Sequence, residues 1–388
     1  MSKTNSEISV YIHWPYCIKK CPYCDFNSHV SSLPIDNSAW KDAYKNEIDM
    51  EFDILGKRTI KSIFFGGGTP SLMPPNLVEA ILKQLENKWS FSNNIEITVE
   101  ANPSSVEIKN FINLEKAGIN RISLGLQSLN NNSLEFLGRT HSAEDGFKAL
   151  EIAKQNFKKV SFDLIYGLPD QNEKIWEHEL KEAINISGEH MSAYQLTIEK
   201  GTPFYASYRD NKFDLPSENT LLNLYNITDE LLSSAKFKKY EVSNYALKKS
   251  VCIHNLSIWQ GLEYCGIGPG SHGRVLINNK WYATHKFSSP KLWLKKSLEK
   301  KITLYKNTKI SEIERAQEIL LTGLRLNKGI NTRILFKKLN INNKDQIIDI
   351  KALQRLEKLN LIETNNSLIK VTKKGFPILN HITSKLIR

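Results

Sequence analysis

Along the first 200 residues, short apolar or β-branched runs alternate with longer stretches whose apolar positions recur at helical spacing. The runs Ser9–His13, Ser62–Phe65, Ile95–Glu100, Arg121–Gln127, Val160–Tyr166 and Met191–Thr197 predict strands. Between them, Ala39–Leu55, Pro75–Lys88, Ser105–Ala117, Asn131–Phe136 with Ala143–Asn156, and Glu173–Ile186 predict helices. Strands alternating with helices imply βαβ crossovers and a parallel sheet. Six such units are two short of a full (β/α)8 barrel, so the expected α/β architecture over residues 1–200 is a partial, TIM-like (β/α)6 barrel. Glycine and polar residues gather where these strands end: Gly66-Gly67-Gly68-Thr69, Glu100, Gln127 and Asp163. Barrel active sites are built on that rim.

The rhythm changes near Gly201. A helix is predicted at Glu218–Ala235, then Tyr240–Tyr245, a glycine-rich turn at Gly266–Gly273 and a strand at Trp281–His285. Residues 201–290 are expected to extend the sheet or cover the barrel's open side. From residue 291 to 388 the chain reads as a separate helical module. It has helices at Lys291–Glu299, Ser311–Leu324 and Ile347–Leu359, with Ser311 and Glu314 forming a capping box at the start of the second. A hairpin of Leu361–Thr364 with Leu368–Val371 makes the module winged-helix-like.

Composition sets the class. Of 388 residues, 40% are hydrophobic and 24% charged, which fits a globular chain with a sizeable core and excludes a mostly disordered one. No apolar stretch approaches the length of a membrane span, and Met1–Val10 lacks the pattern of a secretory signal, so a cytoplasmic protein is expected. The net charge of +12 is uneven: residues 291–388 hold 22 Lys and Arg against 8 Asp and Glu. Such a surface is either a Lys-rich solvated face or a platform for an anionic partner, whether membrane, acidic protein or nucleic acid. No RNA-binding motif or aromatic stacking platform is present, so a nucleic-acid partner is not expected.

Three of the five cysteines crowd into Cys17-Ile18-Lys19-Lys20-Cys21-Pro22-Tyr23-Cys24, directly after the first predicted strand. An odd number of cysteines in a long chain argues against a disulfide framework and for a metal site in a reducing compartment. Structural zinc takes four ligands, usually as two close pairs, and no second pair exists here. Three thiolates on one loop can instead hold three irons of a [4Fe–4S] cube and leave the fourth iron open. Cys252 and Cys265 read as buried small hydrophobes.

The C-x3-C-x2-C spacing with an aromatic before the last cysteine resembles the radical S-adenosylmethionine (SAM) superfamily. There, SAM chelates the open iron, and cluster reduction can cleave it to a 5′-deoxyadenosyl radical. Gly66-Gly67-Gly68-Thr69-Pro70 is similar to the family's SAM loop, where missing Cβ atoms let backbone approach a small zwitterion. Tyr11–Cys17, Glu100-Ala101-Asn102-Pro103, Gly125-Leu126-Gln127-Ser128, Arg139 and Asp163–Pro169 narrow the resemblance to the oxygen-independent coproporphyrinogen III oxidases and their relatives, the haem chaperones (the HemN/HemW group). By that resemblance Cys17, Cys21 and Cys24 hold the cluster. Tyr11, Gly67, Gly68, Thr69, Glu100, Gln127, Arg139 and Asp163 contact SAM, and Tyr23 contributes through its backbone.

Within the group the chain resembles the haem chaperone branch. The oxidase carries a further cysteine two residues past the cluster, where this chain has Phe26. Only 16 residues precede Cys17, so the oxidase's longer N-terminal arm is expected to be missing. Gln195–Glu199 and Gly266–Gly273 resemble the chaperone. His254-Asn255-Leu256-Ser257-Ile258-Trp259 resembles its H-N-x-x-Y-W motif, with Ile258 in place of the usual tyrosine. The resemblance therefore implies a protein that binds haem and passes it to acceptor haemoproteins, respiratory and membrane-associated ones among them. The candidate axial ligands are His254, His272, His29 and His13, with His254 and His272 favoured, beside Trp259; contact with SAM would equally explain His272. Oxidation of coproporphyrinogen III to protoporphyrinogen IX is the alternative activity. A radical enzyme acting on nucleic acid through the basic region is a third.

Overall fold

The computed structural model describes residues 6–31, 33–247 and 249–388. The barrel strands are β1 (Glu7–Trp14), β2 (Thr59–Gly67), β3 (Ser90–Ala101), β4 (Arg121–Gln127), β5 (Lys159–Tyr166) and β6 (His190–Gln195). The main covering helices are α1 (Asn37–Leu55), α2 (Pro75–Lys88), α3 (Ala143–Asn156) and α4 (Glu173–Ile186). The six strands lie side by side in sequence order, all parallel. This is the (β/α)6 arrangement that the alternating pattern implies. Helix starts follow local chemistry: Asp36 caps α1 by accepting from the Ser38 and Ala39 amides, and Ser142 with Asp145 forms a capping box on α3.

The region after residue 200 widens the sheet at both edges. Helix α5 (Glu218–Ser234) leads to β7 (Asn244–Ala246), which pairs antiparallel with β6. Helix α6 (Ile253–Trp259) follows, and β8 (Tyr264–Ile267) then pairs parallel with β1 on the opposite edge. β9 (His272–Ile277), β10 (Lys280–Lys286) and β11 (Leu304–Ile310) continue outward as an antiparallel meander. Among the described residues the sheet has twelve strands, the last being a two-residue segment at Lys238–Lys239 beside β7.

Several expectations need adjusting. The predicted helix over Ser105–Ala117 is broken into Ser105–Ile108 and Phe111–Lys116. The stretch expected as a glycine-rich turn at Gly266–Gly273 includes the end of β8 and the start of β9. The large sheet does not end near residue 290. β11 belongs to it, although five of its seven residues are exposed and give no alternating apolar signal.

Beyond β11 a second hydrophobic cluster joins Trp281 and Ile310 to buried residues from Ala316 to Leu386. It is built from helices Glu312–Gly323, Thr332–Lys338, Ile350–Lys358 and Leu379–Leu386 and a three-stranded sheet. Helices thus pack around a small three-stranded sheet that contains the hairpin. Ser311 and Glu314 form the anticipated capping box. The hairpin turns at Asn366-Ser367, with Asn366 at φ 54°.

Candidate functional site

The barrel interior is polar where most barrels are filled with aliphatic side chains. Ser9 and Ser62 from β1 and β2, Glu96 from β3, Arg121 from β4, and Ser161 and His190 from β5 and β6 are all buried. They satisfy one another: Ser62 Oγ donates to Ser9 Oγ at 2.9 Å, Ser161 meets His190 Nδ1 at 2.6 Å, and Arg121 pairs with Glu96 at 3.5 Å. The Glu96 carboxylate also accepts from the amides of Ile253 and His254, fixing the start of α6 against the barrel. Above this layer is a cavity of about 640 Å³.

Tyr11, His13, Gly67, Glu100, Asp163, His254 and His272 all line that cavity. The strand register explains the convergence. Alternate residues of a strand face the same side, so Tyr11 and His13 on β1 project inward together. Glu100 and Asp163 are half-buried carboxyls at the cavity, and the Ser123 hydroxyl donates to Asp163 at 3.4 Å. Burial, then the neighbouring Asp163, pushes Glu100 up to about 8. Burial pushes Asp163 up to about 6, against the hydroxyls of Ser192 and Ser123 and the charge of Arg121.

The glycine loop is shaped by close approach. A Cβ on Gly67, which has φ 110°, would lie 2.5 Å from the His13 ring, and one on Gly68 would lie 2.7 Å from the Tyr16 carbonyl. The Gly68 and Thr69 amides donate to the Trp14 and Tyr16 carbonyls at 2.6 and 2.8 Å, pinning the loop to the start of the cysteine segment.

Cys17, Cys21 and Cys24 are free and half-buried. Burial pushes the Cys17 thiol up and the Thr69 hydroxyl opposes that, while Cys24 and Cys21 are near enough to add to the rise. Among the described residues, no three Cys, His, Asp or Glu side chains are grouped to hold a single ion. A cube asks for something else, one thiolate per iron. Arg139 Nη1 donates to Cys21 Sγ and to Tyr23 Oη, both at 3.4 Å, and Nη2 donates to the Gly125 carbonyl at 3.0 Å and to Asn102 Oδ1. Arg139 Nε is buried and has no hydrogen-bond partner among the described residues.

The remaining sequence-derived residues do not all line that cavity. Thr69 and Arg139 line a narrow cleft with Cys21 and Asn102, beside the larger cavity. Tyr23 takes part through its side chain, with its hydroxyl on Arg139 and its ring 6.2 Å from Phe204. Gln127 lines neither space; it ends β4 at φ 68° with its amide against Gly125.

His254 is buried on α6. Its Nδ1 meets Ser62 at 3.1 Å, its ring lies 5.0 Å from Phe64, and its buried Nε2 has no hydrogen-bond partner among the described residues. Burial lowers its pKa to about 3, so it is a neutral imidazole with a free nitrogen at the cavity. His272 is exposed at the cavity mouth. Trp259 does not line the cavity, contrary to expectation. Arg325 covers it, 4.6 Å from the ring centroid, and Ile258 faces the cavity instead. His13 is tied to Asn27 O at 2.9 Å and to Tyr11 at 3.2 Å. His29 bonds Asn27 Oδ1 at 3.1 Å.

The model of the radical SAM superfamily matches residues 11–183, which hold the cysteine loop, the glycine loop, Glu100, Arg139 and Asp163. A haem chaperone HemW from Buchnera aphidicola (subspecies Schizaphis graminum) is 34% identical over 97% of both chains. A second HemW, from Haemophilus influenzae, is 37% identical over 83% of this chain and 84% of its own. The chain belongs to the HemW group of the radical SAM superfamily. The solved coproporphyrinogen III oxidase (HemN) of Escherichia coli matches with a TM-score of 0.82, covering 98% of this chain and 90% of that one. At 22% identity this likeness shows that the two chains share a fold.

Some residues of this HemW-group site were not singled out in the sequence. Asn102 donates to Thr69 Oγ1 at 3.2 Å and accepts from Arg139, joining the glycine loop to the arginine. Its place in Glu100-Ala101-Asn102-Pro103 was the available signal. Asn27 donates to the Pro269 and Ser288 carbonyls at 3.1 and 3.0 Å, tying the cysteine segment to the Gly266–Gly273 stretch.

Proposed function

We propose that this protein is a haem chaperone that carries a [4Fe–4S] cluster and SAM in one barrel and passes haem to acceptor haemoproteins. Cys17, Cys21 and Cys24 would hold the three irons. Glu100 and Asp163 suit the positive charge of SAM, Arg139 suits its carboxylate, and the Gly66–Thr69 backbone leaves room for its small polar end. When bound, the reduced cluster supplies an electron to SAM. Haem enters as cargo.

One observation carries the haem reading. His254 is buried against the cavity with Nε2 unpartnered among the described residues, in a chain similar over 97% of its length to a protein named a haem chaperone. An unbonded buried imidazole nitrogen carries a desolvation cost that an iron would relieve. Ser62 on Nδ1 orients the ring, as a second partner commonly does for a metal-binding histidine. The oxidase alternative is favoured only by shared fold. Phe26, in place of that enzyme's extra cysteine, lines the cavity.

The basic region after residue 291 is assigned to the acceptor, through an acidic protein surface or anionic membrane. That contact should weaken with salt, since exposed charges are screened over roughly 8 Å at physiological ionic strength. Among the described residues no helix is long and apolar enough to cross a membrane. A cytoplasmic location belongs to the same proposal.

The test is a haemin titration of anaerobically reconstituted protein. A saturable Soret shift, weakened in His254→Ala with cluster content unchanged, supports the reading. A wild-type spectrum equal to that of free haemin refutes it.

A further inference from the structure

His272 and His285 are directly opposite one another on β9 and β10. Their rings are stacked, with centroids 4.0 Å apart and planes 13° from parallel. The pair stands at a boundary. Both residues line the 640 Å³ cavity, and both line an outer groove of about 900 Å³ between the β9–β11 meander and the C-terminal helix Leu379–Leu386.

The pair is open to a ligand. His272 is exposed, and its ring makes no hydrogen bond among the described residues. His285 has one weak partner, Ser288 Oγ at 3.4 Å from Nε2. Tyr305 meets His285 edge-on at 5.7 Å, adding an aromatic wall. Lys306 and Lys309 line the groove with no carboxylate partner among the described residues, whereas Arg274 there is held by Glu318.

The chemistry of the ligand follows. Imidazole lone pairs lie in the ring plane, so two parallel rings do not converge on one small ion. The pair suits a ligand whose metal needs one axial imidazole and whose body is flat, apolar and anionic at its edge. His254, by contrast, is only 2% exposed, and cargo held there must leave through the mouth.

We propose that the His272–His285 pair is an outer haem site, with an imidazole on the iron and Lys306 and Lys309 facing the propionates, through which haem passes between the buried His254 and an acceptor. This rests on the haem-carrier reading above.

The experiment uses the reconstituted full-length chain, titrated with haemin and then mixed rapidly with apomyoglobin as acceptor. The wild type should show two spectral phases. The double variant His272→Ala/His285→Ala should lose the weaker phase and transfer haem more slowly. His254→Ala should lose the tighter phase and keep the weaker. Cluster absorbance reports folding. Lys306→Glu/Lys309→Glu, two exposed changes, provides a second route and should weaken the same phase. If wild type binds haemin but all binding is lost in His254→Ala, or the double variant and the lysine variant match wild type in both phases and in transfer, the outer site is refuted and the carrier reading stands. If wild type binds no haemin, both fall.

Discussion

Arg139 reaches back 118 residues along the chain to donate from Nη1 to the Sγ of Cys21 at 3.4 Å. The contact joins the end of the segment after β4 to the cysteine loop. It places a fixed positive charge beside one proposed cluster ligand, because a guanidinium stays protonated. A cation favours the more negative, reduced form of a neighbouring cluster. Arg139→Gln should therefore lower the cluster's reduction potential by ~50 mV, which is ~1 kcal/mol of charge interaction for one electron. It should also weaken SAM binding. EPR-monitored redox titration reads both; a potential unchanged or raised would show that this contact does not tune the cluster.

The three loop cysteines should behave as one unit. Cys17→Ala, Cys21→Ala and Cys24→Ala should each abolish iron and sulfide retention after anaerobic reconstitution. Cys252→Ala and Cys265→Ala should retain the cluster, because both thiols are buried outside the cysteine loop, Cys252 at the cavity wall and Cys265 against Glu51. Their cost should be in stability, ~1 kcal/mol each. Iron and acid-labile sulfide analysis of the five variants decides the assignment, and loss of the cluster from Cys252→Ala would break it.

Glu100 gives a pH signature. Its folded pKa, about 8, lies above its unfolded value. A carboxyl shifted in that direction stabilises the fold fully below the unfolded pKa and loses that contribution as pH rises through the folded one. SAM-free protein should therefore lose stability between about pH 5 and 8, by on the order of 3 kcal/mol if this group dominates. SAM affinity should rise over the upper part of that range, as the carboxylate becomes available to its cation. Glu100→Gln should flatten the stability profile and weaken SAM. Denaturant melts against pH, with and without SAM, measure both; a Glu100→Gln profile as steep as wild type would assign the slope to another group.

Lys286 is buried between the carboxylates of Glu47 and Glu51. Glu47 also accepts from the Gly268 amide at 2.7 Å, and the Trp293 indole donates to it at 3.1 Å. The two carboxylates raise the lysine's pKa against its burial. Lys286→Met leaves two buried carboxylates uncompensated and should cost ~3–5 kcal/mol. The triple change Lys286→Met/Glu47→Gln/Glu51→Gln should recover part of that. Chemical denaturation checks the order, and a single variant as stable as wild type would contradict the ion-pair account.

Much of the barrel was legible because its signals are local. Arg121–Gln127, Pro75–Lys88 and Glu173–Ile186 carry strong period-two or helical patterns and form with the expected limits. The cysteine and glycine loops were legible because chemistry fixes residue type there. The seventh parallel strand, β8, was not. It has four residues, and its pairing with β1 bridges some 250 positions, so nothing local marks it. β11 was hidden because Tyr305, Lys306, Asn307, Thr308 and Lys309 face solvent and leave no apolar alternation. The His272–His285 stack was invisible for a similar reason: it exists only through cross-strand register. The exclusion of Trp259 from the cavity depends on Arg325, from a part of the chain whose position against α6 no motif encodes.

The central claim is that the protein moves haem and does not oxidise coproporphyrinogen. One anaerobic preparation with cluster and SAM loaded tests it directly. One half is given haemin and then apomyoglobin; the other is given coproporphyrinogen III and a reductant. The expected result is formation of holo-myoglobin faster than from free haemin controls, with no protoporphyrinogen IX. Robust protoporphyrinogen formation without haem delivery would contradict the account.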